Sequence, residues 1–306
     1  MIPEAVSIRE VGPRDGLQIE NPVPLDAKIR LLEALVATGV PRIEATSFVS
    51  PRAVPALADA ADLAAELHRW PQVEFSALVA GIGGTKRALA AGMRTVEYVV
   101  SAADGHSRAN VGSSTEDAVG RIEEIVRLVH GEGGKVEVII ATAWDCPFDG
   151  PTDQERPLWI AEHALHHGAD QISVADTIGT ATPGRVSRLI ESIHARLGDV
   201  NLGAHFHNTR GVGLACALTA VEHGVRYLDA SVGGLGGCPF APGASGNIAT
   251  EELAFMLSDL GVGTGVDLGA MIRAAGVAEE IVGHEVPSNL LRAGLPAPRE
   301  SRMDHA

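Results

Sequence analysis

The sequence is poor in several residue types, and each shortage excludes something. Its three cysteines, Cys146, Cys216 and Cys238, show neither Cys-x-x-Cys spacing nor an even count. That argues against a disulfide framework and for a reducing compartment. Aromatic residues make up only 4% while Ala, Val, Gly and Leu dominate, a balance that favours α/β packing over a β-sandwich. Basic residues are outnumbered, 24 Lys and Arg against 39 Asp and Glu, for a formal net charge of −15. A general nucleic-acid binder needs a basic face, so nucleic acid is excluded as a partner, although a few arginines can still hold a small anionic substrate. No apolar run is long enough to span a membrane, and Met1–Pro13 lacks the basic start and apolar stretch of a signal peptide. The expectation is a cytoplasmic protein with no membrane partner. What the chain does have is 306 residues and 45% hydrophobic content, enough for a substantial core in one large domain or two small ones.

Eight β-rich runs occur in order: Val6–Val11, Arg42–Phe48, Val73–Val79, Thr95–Ser101, Val136–Ala143, Gln171–Thr177, Leu202–Asn208 and Tyr227–Val232. Segments with helical apolar spacing lie between them. In 26–38, Ile29, Leu32, Leu35 and Val36 share one face. In 114–131, Ser113 or Ser114 can cap the start of a single helix, and Glu116 and Asp117 suit its positive end. Gly39, Gly92, Gly168 and Gly224 each sit where a helix would close before the next strand. The phrases ATGVPRIEATS, AAGMRTVEYVV, HHGADQISVAD and EHGVRYLDASV repeat a helix–Gly–strand unit. Eight such units fit an α/β fold of the (β/α)8 TIM-barrel type, with additional C-terminal helices read over 266–282. A doubly wound sheet would place a Gly-rich turn after its first strand, where this chain has Pro13-Arg14-Asp15-Gly16. The barrel domain with its helical extension is assigned to residues 1–285, and 286–306 to a flexible tail.

Active residues of such barrels gather at the C-terminal ends of the strands. Those ends carry Arg14 and Asp15 after the first strand, Glu44 and Ser47 on the second, Asp176 on the sixth, and His205 and His207 on the seventh. Two histidines separated by one residue on a strand point to the same face. With Asp15 and the amide oxygen of Asn247 they would make a mixed nitrogen–oxygen set suited to a divalent cation, Mg²⁺, Mn²⁺ or Zn²⁺. Arg14 is suited to a developing oxyanion, with Glu44 as a partner able to orient it. His106 lies in a mouth loop as a weaker substrate-contact candidate, whereas His163, His166 and His167 read as a solvated helix face. Cys146 and Cys216 read as structural thiols.

The stretch Val232–Asn247 holds six glycines, two prolines and Cys238. Its spacing fails as a nucleotide fingerprint, because Pro239 stands where Gly-x-Gly-x-x-Gly needs its last glycine. A mobile catalytic loop carrying one thiol is the better reading, with Cys238 able to serve as a proton carrier.

The motifs VGPRDGLQ, IEATSFVSP, SVADTIGTATPG, GAHFHNT and SVGGLGGCPFAPGASGNIATEEL resemble those of the 3-hydroxy-3-methylglutaryl-CoA lyase family, in the DRE-TIM metallolyase superfamily. The resemblance runs from about Val6 to about Gly265. It implies cleavage of 3-hydroxy-3-methylglutaryl-CoA, or a close 3-hydroxyacyl-CoA, to acetyl-CoA and acetoacetate or the matching oxo acid. It implies a divalent cation, Mg²⁺ or Mn²⁺ ahead of Zn²⁺, on Asp15, His205, His207 and Asn247. It assigns Arg14 to the thioester oxygen, Cys238 to acid–base work, and Glu44 and Asp176 to nearby catalytic or supporting carboxylates. Gln18 becomes a first-loop support, with Ser47 beside it as a substrate contact. An acyl-CoA partner follows, and a homodimer is compatible. Asn208 stands where the family has Asp, and Gly233 and Phe240 stand where Ala and Tyr are common. These departures leave open a lyase for a differently substituted glutaryl-CoA, while the Gly-Pro before Arg14 disfavours an acetyl-CoA-dependent condensing synthase of the same superfamily.

Overall fold

The β-rich runs form eight parallel strands in the computed structural model, which describes residues 2–237 and 246–296. They are β1 (Ser7–Glu10), β2 (Arg42–Ser47), β3 (Glu74–Val79), β4 (Thr95–Ser101), β5 (Lys135–Ala141), β6 (Gln171–Asp176), β7 (Leu202–Phe206) and β8 (Tyr227–Ala230). Each strand pairs with its sequence neighbours, and β1 pairs with both β2 and β8, which closes the expected TIM barrel. A two-stranded antiparallel hairpin, Asp145–Cys146 with Gly150–Pro151, decorates the loop after β5.

Eight crossover helices cover the barrel: α1 (Leu25–Val36), α2 (Ala60–Glu66), α3 (Ile82–Ala90), α4 (Ile122–Gly131), α5 (Glu155–His166), α6 (Pro183–Leu197), α7 (Gly213–Glu222) and α8 (Thr250–Asp259). The four glycines read as helix stops all have positive φ, from 79° at Gly39 to 92° at Gly92 and Gly224. Gly39 is also confined, since a Cβ there would lie 2.8 Å from the carbonyl oxygen of Gly265. The single helix expected over 114–131 is two. Ser114 caps a short helix, Thr115–Val119, by accepting from the amide of Asp117, and α4 starts only after Gly120 and Arg121. Glycine is a poor helix former, and the apolar periodicity on either side concealed the break.

Helix α9 (Leu268–Val282) is one unbroken element that packs on α1 and over the turn following β8. Val286 and Ser288 are buried, and Ser288 caps a further short helix, α10 (Asn289–Ala293), so ordered structure continues past residue 285. Among the described residues, no helix is long and apolar enough to cross a membrane.

The core has two layers of opposite character. Between barrel and helices it is apolar and mostly aliphatic, with Ile8, Leu31, Leu32, Leu35, Ile43, Ile172 and the aromatic Phe206 all buried. Inside the barrel, where branched aliphatic residues usually dominate, β1, β4, β5 and β8 instead contribute Arg9, Glu97, Glu137 and Asp229, every one of them buried.

Candidate active site

The chain leaving β1 folds into one tight π-type turn, Gly12–Gly16, in which the amides of Arg14, Asp15 and Gly16 converge on the carbonyl of Val11. That turn places Arg14 and Asp15 at the barrel mouth, 7% and 6% exposed. Asp15 Oδ1 accepts from Arg14 Nη1 at 2.5 Å and from Gln18 Nε2 at 2.8 Å. Asp15 Oδ2 accepts from Asn247 Nδ2 at 2.7 Å and lies 3.8 Å from His207 Nε2. On β7 the alternation of side chains carries His205 inward, and His207 just beyond the strand follows it, with ring centroids 5.1 Å apart. Asn247 arrives by a separate route. The amide of Asn208 donates to Gly246 O and that of Ile248 to Phe206 O, so this segment pairs antiparallel with His207.

One donor atom from each of Asp15, His205 and His207 lies within 4.8 Å of the other two. Among the described residues, Asn247 Oδ1 and His207 Nδ1 are buried without a hydrogen-bond partner. Such orphaned acceptors are costly in a buried site. A carboxylate, two imidazoles and a free amide oxygen are the donor types that a hard or borderline divalent cation takes, so the residues present fit one.

Electrostatics prepare these donors for that use. Burial alone would push the Asp15 carboxyl up, but Arg14, then His205 and His207, outweigh it and hold the group below the usual carboxylate range. Burial pushes the His207 imidazole down to about 4, with His205 acting in the same direction and Asp15 against it, so the ring is neutral near pH 7. Burial would also loosen the proton of Arg14, yet Glu44 and Asp15 keep the guanidinium charged. Its Nε lies 2.7 Å from Glu44 Oε1. Burial raises Glu44 well above its ordinary range against the pull of Arg14, and the adjoining Glu97 raises it further.

Arg14, Asp15, Gln18, Glu44, His205, His207 and Asn247 thus come together. Asp176 sits within electrostatic reach of His205, but both its oxygens accept backbone amides, of Thr180 and Ala181, and shape the turn before α6. Ser47 is buried at the end of β2, and none of the hydrogen bonds described above reaches it. Cys238 lies outside the described residues. His106 is buried and bonded to Ser101, while Cys146 and Cys216 are buried thiols, the latter raised to about 12 by burial.

Sequence reading missed three supports. Asp229 Oδ2 lies 3.1 Å from His205 Nδ1, and Arg9 grips Asp229 from below. Glu10 Oε1 accepts the amides of Gly12 and Val232, while its Oε2 accepts from Thr250 Oγ1, which ties the turn after β1 to the one after β8. A signal existed: SIRE, TVEY, KVEV and YLDA each place a charge inside an otherwise strand-like run.

A TIM barrel whose mouth joins a carboxylate, two imidazoles and an arginine defines the class as a barrel enzyme with a candidate cation site. A family model described as HMGL-like matches residues 5–277, and the chain belongs to that family. It is 42% identical to a protein of Chloroflexus aurantiacus named (R)-citramalyl-CoA lyase, over 98% of each chain. A Bacillus subtilis HMG-CoA lyase structure matches with a TM-score of 0.92 at 37% identity, covering 95% of this chain and 98% of that one. An HMG-CoA lyase from Acinetobacter baumannii, solved with coenzyme A and 3-methylmalate, also matches with a TM-score of 0.92, at 39% identity over 97% of both chains. The protein is a lyase of the HMG-CoA lyase type acting on a CoA substrate.

Proposed function

We propose that the protein cleaves the C2–C3 bond of 3-hydroxy-3-methylglutaryl-CoA, or of a close 3-hydroxyacyl-CoA, to acetyl-CoA and the matching oxo acid. The observation that carries the reading is the convergence of Asp15, His205 and His207 within 4.8 Å beside the guanidinium of Arg14. Asp15, His205, His207 and the amide oxygen of Asn247 would hold Mg²⁺ or Mn²⁺, with Zn²⁺ as the alternative. When bound, the cation lowers the pKa of the substrate's tertiary hydroxyl.

As that hydroxyl loses its proton, C3 becomes a carbonyl and the C2–C3 bonding pair moves into the thioester as an enolate. Arg14 meets the developing enolate oxygen, and its fixed charge in a buried site favours the transition state over the neutral thioester. Glu44 holds Arg14 in place for that contact, and Gln18 holds the second direction of Asp15. The enolate carbon needs a proton to become acetyl-CoA; Cys238 is assigned that step from its place in the glycine-rich stretch. For the parent substrate the co-product is acetoacetate.

The 42% identity to a protein named (R)-citramalyl-CoA lyase favours a second substrate reading. Citramalyl-CoA carries its distal carboxylate one methylene closer to C3, and the oxo acid released would be pyruvate. Purified protein with Mn²⁺ is incubated with each thioester, and acetyl-CoA and the oxo acid are quantified. Acetyl-CoA from either supports the lyase reading, and the faster substrate names the acyl group. Release from neither, with free CoA appearing from acetyl-CoA plus a 2-oxo acid, would replace it with condensing chemistry.

A further inference from the structure

The five N–H donors of the Arg9 guanidinium are fully committed inside the barrel. Nε donates to Asp229 Oδ1 at 2.9 Å and Nη2 to Asp229 Oδ2 at 2.8 Å. Nη1 donates to Glu97 Oε1 at 2.7 Å and to Glu137 Oε2 at 2.6 Å, and Nη2 reaches Glu137 Oε1 at 3.2 Å. Arg9 is 1% exposed, so it has neither a free donor nor a path to substrate. Its connections nevertheless lead upward. Arg9 is in register with Asp229 across the β1–β8 pair, and Asp229 is in register with His205 across β8–β7. Asp229 Oδ2, one of the two oxygens that Arg9 grips, also lies 3.1 Å from His205 Nδ1.

We propose that Arg9 is a positioning residue of the site. Its two-pronged hold on Asp229 fixes the carboxylate that orients the His205 ring, so that Nδ1 carries the hydrogen and donates it to Asp229, and the lone pair of Nε2 is left to face the cation site. This rests on the reading of Asp15, His205 and His207 as cation ligands. Three strands are needed to build the relay, and only guanidinium geometry can hold both oxygens of Asp229 while still satisfying Glu97 and Glu137. The bland alternative is a charged layer that merely fills the barrel. Buried ion clusters contribute little net stability compared with apolar packing, so stability alone does not separate the two ideas.

Cation affinity and ring tautomer do separate them. Metal-stripped wild type, Arg9→Lys, the charge-balanced pair Arg9→Met/Glu137→Gln and the control Glu137→Gln are titrated with Mn²⁺ by electron paramagnetic resonance. The tautomer of His205 is followed by ¹⁵N NMR. Loss of an outer support typically weakens metal binding about 10- to 100-fold. That loss is expected for Arg9→Met/Glu137→Gln, with a change in the His205 tautomer, while Glu137→Gln stays close to wild type. Arg9→Lys keeps the charge and volume but not the fork, so it serves as the variant least disruptive to folding; it is expected to lose affinity by about 10-fold. Wild-type affinity and tautomer in a folded Arg9→Lys or Arg9→Met/Glu137→Gln protein would overturn the proposal. If wild type itself bound no Mn²⁺, or His205→Ala bound it equally well, the cation-site reading would fail first and this inference with it.

Discussion

Nε of Arg14 lies 2.7 Å from Oε1 of Glu44, and both side chains are buried. The same guanidinium touches Asp15 Oδ1 through Nη1 at 2.5 Å. Arg14 is therefore held between a carboxylate of the mouth and a carboxyl of the barrel wall. Its position is set from two strands, and its charge is maintained by both partners.

Glu44→Gln should release one side of that grip while keeping shape and volume. A displacement of about 1 Å at a reacting group costs about 100-fold, so kcat is expected to fall by that order with KM changed little. Steady-state kinetics on the preferred thioester measure the split. A rise in KM with kcat intact would instead make Glu44 a binding contact.

His207→Ala removes one imidazole from the candidate cation set. Wild type should gain stability on adding Mn²⁺, by about 2.7 kcal/mol when the ion is at 100 times its Kd. The variant should show little of that gain at the same concentration. Thermal unfolding with and without Mn²⁺ measures it, and an equal rise in Tm for both proteins would remove His207 from the set.

Glu10 supplies a pH dependence. Burial lifts its carboxyl to about 7, against hydrogen bonds from Thr250, Val232 and Gly12, and Glu251 adds to the rise. The folded pKa thus lies above the unfolded one near 4.5. Its contribution to stability is complete below the unfolded value and is lost as pH rises through the folded one, roughly 3 kcal/mol in all. Glu10→Gln keeps the acceptor for the two amides and can donate to Thr250, but it does not titrate. Relative to wild type, the metal-stripped variant should gain roughly 2–3 kcal/mol between pH 5 and pH 8.5 in urea unfolding. A constant difference across that range would show that Glu10 titrates as an ordinary carboxyl.

Gly236 has φ of 118°, and a Cβ there would lie 2.7 Å from Asn247 Nδ2. Gly236→Ala should therefore strain the backbone, at a cost of about 1–3 kcal/mol, and push Asn247 away from Asp15. The expected readings are a lowered Tm and weaker Mn²⁺ binding by titration. Lowered Tm with unchanged Mn²⁺ affinity would mean that Asn247 takes no part in the site.

Much of this protein is local, and local features are legible in a sequence. The β-rich runs, the glycines that close helices and the two-residue spacing of His205 and His207 all follow from backbone geometry over a few residues. The glycine at 120 was equally visible. Its effect was not, because a single Gly inside an amphipathic pattern can be absorbed or can break the helix, and packing decides which. Residues 286–296 were misleading for a related reason: a short stretch broken by Gly294 and two prolines looks frayed until Val286 and Ser288 find a surface to bury against.

The amino-acid sequence by itself determined the barrel, through eight strand–helix units, and the acid and imidazole residues at the strand ends. Tertiary structure alone decided what stands beneath them. Arg9 and Asp229 are 220 residues apart and meet only because β1 and β8 close the barrel. A charge in the middle of a strand announces a buried partner but does not name it, since the partner is fixed by register across the closed sheet. In the same way, Asn247 is an ordinary amide until its segment pairs with His207 and leaves Oδ1 at the mouth with no partner among the described residues.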